Sequence, residues 1–363
     1  MHPKKIFSLL FALFLLGVLV LFFLPRKKEI IKEPITKIGL ILNGSRDDKS
    51  YCQAQYEAVS SASEKMGLTL LCHDKVPQDD RFPALVEELI EEGCGIITID
   101  SYLYDPYLLD LAEKHPDTYF LAATSTLVAD NLSSFIGRIY QVRYLTGIVA
   151  GLCTKSNEIG YVVSVPTPET FRQVNAFTIG VKKANAKARV HITYSGDWND
   201  AGKAAEATRR LLDSAPIDVL TLHANTIAPL EVADAAGVYT IGNIYDTREL
   251  FPDTYLTACL YNWEDFYLDR FEECMHDAFI GKHYWSGVRS GIVEIAPLTE
   301  LAKHCSRFVN KELDLLLAIK TDPFYGPIRD TYGTEQVHED ENISDEQLLH
   351  GMYWFVEGVV IEP

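Results

Sequence analysis

KIGLILNGSRDDKSYCQAQYEAVSSASEKM, residues 37–66, opens with a six-residue run whose only lapses from apolarity are Lys37 and Gly39. Such a run reads as a strand buried on both faces. A polar loop from Asn43 to Tyr51 follows, and the stretch from Ser50 to Met66 reads as a helix. The alternation then repeats, with strands at Leu68–Leu71, 95–99 and Thr118–Leu121 and helices at Phe82–Glu92 and Tyr107–Lys114. Strand and helix in strict turn imply a parallel sheet covered on both faces.

After a helix around Arg138–Thr154 the rhythm restarts. Strands are expected near Ile159–Val163, Val190–Tyr194, Ile217–Leu222 and Val238–Ile241, with helices at Glu169–Ala184, Ala201–Asp213 and Leu230–Ala236. Beyond residue 256 the pattern is a strand at Leu256–Leu260, a helix at Glu264–Phe279 and a strand near Gly291–Ile295. A helix at Pro297–Ala318, a turn-rich stretch at Asp322–Gly333 and a last helix at Asp345–Trp354 complete it. Two α/β lobes follow, joined by several chain crossings, because no Pro-, Gly- or Ser-rich linker divides the halves. The expected division is an anchor and tether over 1–34, a first lobe over 35–155 with a return at about 260–285, and a second over 156–258 with returns over 286–363.

Composition bounds the function. At 363 residues, 47% hydrophobic and 11% aromatic, the chain is globular and long enough for two cores. Residues 1–32 hold six Lys or Arg and one acid, so the other 331 carry 27 basic against 50 acidic side chains. Such a domain has no basic surplus for tracking phosphates, so nucleic acid is not an expected partner.

The positive N-terminal charges flank an uncharged run of 19 residues, Ile6–Leu24, broken only by Ser8 and Gly17. As a helix it would measure about 28 Å, close to the hydrocarbon thickness of a bilayer. It runs into Leu24-Pro-Arg-Lys-Lys28 instead of a small-residue cleavage site, which favours an uncleaved membrane anchor over a signal peptide. Lys4 and Lys5 face Arg26, Lys27 and Lys28 across the run, so the charge count leaves its orientation open.

Motifs for chemistry are absent. Gly44–Ser50 lacks the glycine spacing of a phosphate loop, and there is no HExxH, no GxSxG and no GxGxxG after a strand. The seven cysteines form no CxxC pair and no metal-ligand spacing, so neither metal nor cofactor is expected. Polar and aromatic residues instead gather at strand ends, where open α/β sheets hold ligands. They are Asn43–Tyr51, Asp100-Ser101-Tyr102, Ser195–Asp200, His223–Thr226 and Asn243–Asp246. Tyr51 and Trp198, from opposite lobes, offer two π faces to a planar heterocycle. Asp246, Asn225, Ser50 and Ser101 are the candidates for its polar edge, with Asp246 foremost because a carboxylate accepts from ring N–H or amino groups; His223 is a further candidate. A turn cap is the competing reading of Asp246.

Asp47-Asp-Lys-Ser-Tyr-Cys-Gln53 with Tyr56-Glu57 resembles the D-D-K-S-F-N-Q-x-x-Y-E signature of the basic-membrane-protein family of ABC-importer substrate-binding proteins, which includes purine nucleoside receptors. Eight further segments resemble its purine-binding branch in order: Arg138–Gly147, Gly151–Lys155, Ile159–Tyr161, Pro166–Glu169, Asn175–Phe177, Trp198–Asp200, Phe324–Ile328 and Met352–Val359. The resemblance implies a type I periplasmic-binding-protein fold, two doubly wound α/β lobes with three crossings, a ligand held in the cleft and an ABC permease as partner. It places the stacking aromatics on Tyr51 and Trp198. Cys52 stands where the family has asparagine. The carboxylates and lysine that hold nucleosides fall on Thr124, Ile244 and Tyr261, none of which keeps the charge. A free purine base is therefore expected over a nucleoside. A membrane-anchored sensory subunit for a purine or nucleoside is the second reading, and an enzyme such as a nucleoside hydrolase the third.

Overall fold

The computed structural model describes residues 34–363. The expected membrane helix at Ile6–Leu24 and most of the tether lie outside the described residues. Among those described, no helix is long and apolar enough to cross a membrane.

The first part of the chain runs β1 (Lys37–Ile41), α1 (Tyr51–Met66), β2 (Thr69–His73), α2 (Arg81–Glu91), β3 (Ile96–Ile99), α3 (Asp105–Lys114), β4 (Tyr119–Ala123) and β5 (Leu132–Gly137). The second runs α4 (Tyr140–Cys153), β6 (Glu158–Val163), α5 (Pro168–Ala184), β7 (Arg189–Tyr194), α6 (Ala201–Ser214), β8 (Val219–His223), α7 (Ala228–Ala235), β9 (Tyr239–Ile244) and β10 (Tyr255–Tyr261). The remainder comprises α8 (Glu264–Met275), β11 (His283–Ser286), β12 (Val293–Ile295), α9 (Ser306–Leu317), β13 (Ile328–Arg329), β14 (Glu335–Val337) and β15 (Val359–Ile361).

Two large sheets result, ordered β2-β1-β3-β4-β5-β11 and β15-β7-β6-β8-β9-β10-β12, beside a small antiparallel pair, β13-β14. Within the two large sheets all pairs are parallel except β10 with β12. Both carry the doubly wound 2-1-3-4-5 order at their centres. The chain passes between them three times, from β5 to β6, from β10 to β11 and from β11 to β12.

Local chemistry explains the elements that matter for the site. The Asp48 carboxylate caps α1, accepting from the amides of Ser50 (2.8 Å), Cys52 (3.0 Å) and Gln53 (3.0 Å). At its other end Gly67 is left-handed at φ 69°, and the Leu68 amide closes back onto the Ser63 carbonyl at 2.8 Å. Helices α4 and α5 meet backbone to backbone. A Cβ on Gly147 would lie 2.0 Å from the Phe177 carbonyl oxygen, and one on Gly180 2.0 Å from that of Tyr144. This contact lays Arg143 of α4 beside Glu169 and Arg172 of α5, under the ends of the second sheet.

Three expectations are corrected. The last helix shrinks to one π turn, Gln347–Gly351, because Asn175 clasps the following backbone: its amide donates to Trp354 O (2.8 Å) and its carbonyl accepts from Val356 N (3.0 Å). The helix at 297–318 is a 3-10 segment, Glu300–Cys305, leading into α9, and α8 stops at Met275. Strands β5 and β11 lie outside the expected pattern: Ser133 and Ser134 interrupt the apolar run of β5, yet both are fully buried, Ser134 Oγ lying 2.9 Å from His283 Nδ1 of β11.

Candidate functional site

A cleft lies where the carboxyl ends of the two sheets face each other. Its wall takes Asn43 after β1, Tyr51 of α1, Asp100, Ser101 and Tyr102 after β3, and Thr124 after β4 from the first sheet. Glu169, Trp198, His223, Asn225, Asn243, Ile244 and Tyr261 come from the second. In each sheet these positions cluster around the strand pair at which the winding reverses, β1/β3 and β6/β8, the position where open α/β sheets bind ligands.

Of the nine side chains expected at the site, Tyr51, Ser101, Thr124, Trp198, His223 and Asn225 line this cleft. Tyr51 is fixed from behind: its hydroxyl donates to the Asp100 carbonyl (2.8 Å) and accepts from Gln55 Nε2 (3.1 Å), while Gln55 Oε1 accepts from Tyr267 (2.5 Å). Trp198 is half-buried and edge-on to His223, with ring centroids 5.1 Å apart. Asn225 is set by its amide, which donates to Trp198 O (2.8 Å), and by Nδ2 donating to Asn199 Oδ1 (3.1 Å).

Three expected residues do not reach the wall. Asp246 is held by Arg248, its carboxylate accepting from Nε at 2.8 Å and from the backbone amide at 3.2 Å, so it serves its own turn. Ser50 is buried beneath the rim, where its hydroxyl donates to Ala224 O (3.2 Å) and ties the two halves together. Cys52 lies one layer back, its Sγ 3.4 Å from Asn43 Oδ1 and 3.5 Å from Asp100 Oδ2, and burial pushes its thiol far up.

Thr124, Ile244 and Tyr261 all face the cavity. The charged groups of the wall are elsewhere. Burial raises the Asp100 carboxyl to about 7, despite two 3.0 Å contacts from the Asn43 amide. Burial also pushes Glu169 upward, but the His223 contact (Nε2 to Oε1, 3.7 Å) and the fields of Arg172 and Arg143 outweigh it and hold its carboxyl below the ordinary value. The first turn of α5 supplies a further favourable dipole. His223 is lowered, chiefly by burial, with Arg143 and Arg172 adding to the effect against Glu169. Its Nδ1 lacks a protein partner.

Behind the wall Arg143 is fully buried, donating to Leu222 O (3.0 Å), Thr221 Oγ1 (3.3 Å) and Asn243 Oδ1. It fixes the orientation of the Asn243 amide, whose Nδ2 donates to Ala224 O (3.2 Å). The loop after β6 obeys the same strand-end rule, and Thr167-Pro-Glu169 is a helix-start pattern, so Glu169 is a site candidate that both signals carry although the strand-end loops singled out above do not include it.

The family described as ABC transporter substrate-binding protein PnrA-like matches residues 35–320. A purine-binding protein of Brucella abortus is 30% identical over 327 residues, covering 89% of this chain and 92% of that one. An ABC transporter protein of Haloferax volcanii, whose name gives glucose as its ligand, is 29% identical over 75% of this chain and 67% of its own. Among solved structures, a solute-binding protein of an Aeropyrum pernix ABC transporter system superposes with a TM-score of 0.70 at 16% identity, over 81% of this chain and 93% of that one. That likeness carries the fold.

Proposed function

The chain belongs to the PnrA-like family of ABC transporter substrate-binding proteins, and from that membership we propose that it captures a free purine base in the cleft between its two sheets and hands it to an ABC permease. The base is stacked between Tyr51 and Trp198. Its edge is read by Glu169, Asn225, Ser101 and His223, the carboxylate accepting from a ring N–H or amino group and the amide serving either sense. No bond is made or broken. Closure is a hinge motion in which the ligand favours the closed state by touching both halves.

The observation that carries this reading is the chemistry of the wall. Thr124, Ile244 and Tyr261 face the cavity without a charge between them, so the groups that would pair with ribose hydroxyls are missing while both aromatic faces are present. A site with charged side chains at these three positions would discriminate strongly in favour of the sugar; this one carries none there. The similarity to a Brucella abortus purine-binding protein points the same way.

In this reading residues 35–155 and 156–258, with their returns, are the two lobes. The domain sits outside the cytoplasmic membrane, held by Ile6–Leu24. Isothermal calorimetry with adenine, hypoxanthine, guanine, their nucleosides and glucose tests the ligand. Free bases should bind most tightly and be recovered unchanged; preference for a nucleoside or for glucose, or turnover of any of them, overturns the proposal.

A further inference from the structure

A second constellation lies apart from the cleft. Cys153, the last residue of α4, and Cys305, which ends the 3-10 segment before α9, are 152 positions apart in sequence, yet their sulfurs are 3.7 Å apart. His304 Nε2 lies 3.5 Å from Cys305 Sγ and 4.0 Å from Cys153 Sγ. Both cysteines are buried and His304 is exposed, so the triangle of donors opens to solvent on the imidazole side. None of the three lines the cleft.

The edges of this triangle have a chemical meaning. Two thiolates at about 2.3 Å from a tetrahedral zinc are about 3.8 Å apart, and a thiolate and an imidazole nitrogen at about 2.0–2.1 Å are about 3.6 Å apart. The observed 3.7, 3.5 and 4.0 Å edges match that face of a tetrahedron within a few tenths of an ångström. A disulfide requires sulfurs at about 2.05 Å, so the pair is poised for a shared ligand without being bonded. The support is rigid. Immediately after Cys153 the Asp218 carboxylate accepts from Thr154 Oγ1 (2.6 Å) and from the amides of Lys155 (2.6 Å) and Ser156 (2.8 Å), and Cys305 is anchored as the residue preceding α9. Soft thiolates with one imidazole select zinc or monovalent copper over hard cations.

We propose that Cys153, His304 and Cys305 bind a soft transition-metal ion of the zinc class, with solvent completing the fourth position. The ion clips α4, which carries the chain from the first sheet to the second, to the segment that returns from β12 toward α9. The assignment does not depend on the ligand in the cleft.

The test uses the full chain, reduced and handled without oxygen, titrated with Zn²⁺ against a chromophoric chelator and with Co²⁺ for its thiolate charge-transfer and tetrahedral d–d absorption. One equivalent should bind, with the thiolate band present. Cys305→Ser should abolish the band, His304→Ala should weaken zinc binding by at least about tenfold, and Cys72→Ser should change neither. His304 is exposed, so its variant keeps the test decisive if Cys305→Ser misfolds. No metal uptake, unchanged affinity in His304→Ala, or a Cys153–Cys305 disulfide in a chain that takes up no metal when reduced would overturn the assignment.

Discussion

Thr124 and Ile244 occupy the same place in the two halves of the molecule: each stands at the carboxyl end of the strand that follows the switch-point pair, each faces the cleft, and each is left-handed, at φ 59° and 68°. For β-branched residues this backbone is costly, on the order of 1–3 kcal/mol apiece, and such strain concentrates at ligand sites. Thr124 recovers part of it by accepting from the Tyr102 amide at 2.9 Å. Asp tolerates this conformation better than Thr or Ile. The double variant Thr124→Asp with Ile244→Asp should therefore fold, and it should raise the ratio of nucleoside to base affinity by about tenfold or more through new acceptors for ribose hydroxyls. Calorimetry with matched base and nucleoside pairs measures the ratio; an unchanged ratio would remove the argument that uncharged walls select the base.

The aromatic pair makes separable predictions. Tyr51→Ala and Trp198→Ala should each weaken binding by about 1–3 kcal/mol, the range for a base stacked on one aromatic ring. Tyr51→Phe keeps the ring and loses the bond to the Asp100 carbonyl, so it should cost less than alanine in affinity. Equal losses for phenylalanine and alanine would mean that the hydroxyl tether, and not the π face, matters.

Glu169 and Asp246 form a contrast: the strand-end pattern singles out Asp246, whereas Glu169 is the carboxylate that lines the cleft. Glu169→Gln should weaken a base that presents N–H donors by about 1–3 kcal/mol, a charged acceptor being worth more than a neutral one. Asp246→Asn should leave affinity and base preference unchanged, because its partner is Arg248. A loss in the second variant and none in the first, measured with the same ligand, would restore Asp246 to the site.

What the sequence made legible, and what it hid, follows from how far apart the determining groups lie. Buried parallel strands such as Lys37–Ile41 and Glu158–Val163 are written locally as apolar runs, so the alternation and the strand-end loops could be read, and with them Tyr51, Ser101 and Trp198. Strand β5 could not, since Ser133 and Ser134 look like loop until His283 arrives from 149 positions away to satisfy one of them. The same holds for the fate of Asp246. A carboxylate after a strand looks alike whether it faces the cleft or a neighbouring arginine, and only the rotamer decides. Cys153 and Cys305 lay beyond any spacing rule, their proximity being made by tertiary packing alone.

Helix contact α4/α5 is a further test of how the site is held. Gly147→Ala would place a methyl 2.0 Å from the Phe177 carbonyl oxygen, so the helices must part, and overpacking of this kind costs about 1–3 kcal/mol or more. Because Arg143, Glu169 and Arg172 ride on these helices, ligand affinity should fall along with stability. Urea unfolding and calorimetry on the same variant check both; an alanine that costs neither would show that the contact is compliant.

The buried carboxyl of Asp100 sets a pH dependence whose sign runs against the usual aspartate. Its folded value, raised by burial to about 7, exceeds the unfolded value of about 3.9. Between these two limits the native chain holds a proton that the unfolded chain has lost, so stability is complete below about pH 4, falls as pH rises through 7, and is flat above. Asp100→Asn removes the titration and keeps one acceptor for the Asn43 amide. The difference in unfolding free energy, wild type minus variant, should then decline by roughly 1.4 kcal/mol per pH unit across that window and level off beyond it. Urea denaturation at several pH values from 4 to 8 gives the difference directly, with the other titrating groups cancelling between the two proteins. A difference that stays constant, or grows with pH, would mean that Asp100 is ionised in the folded chain throughout. The contacts from the Asn43 amide and the Cys52 thiol would then outweigh its burial.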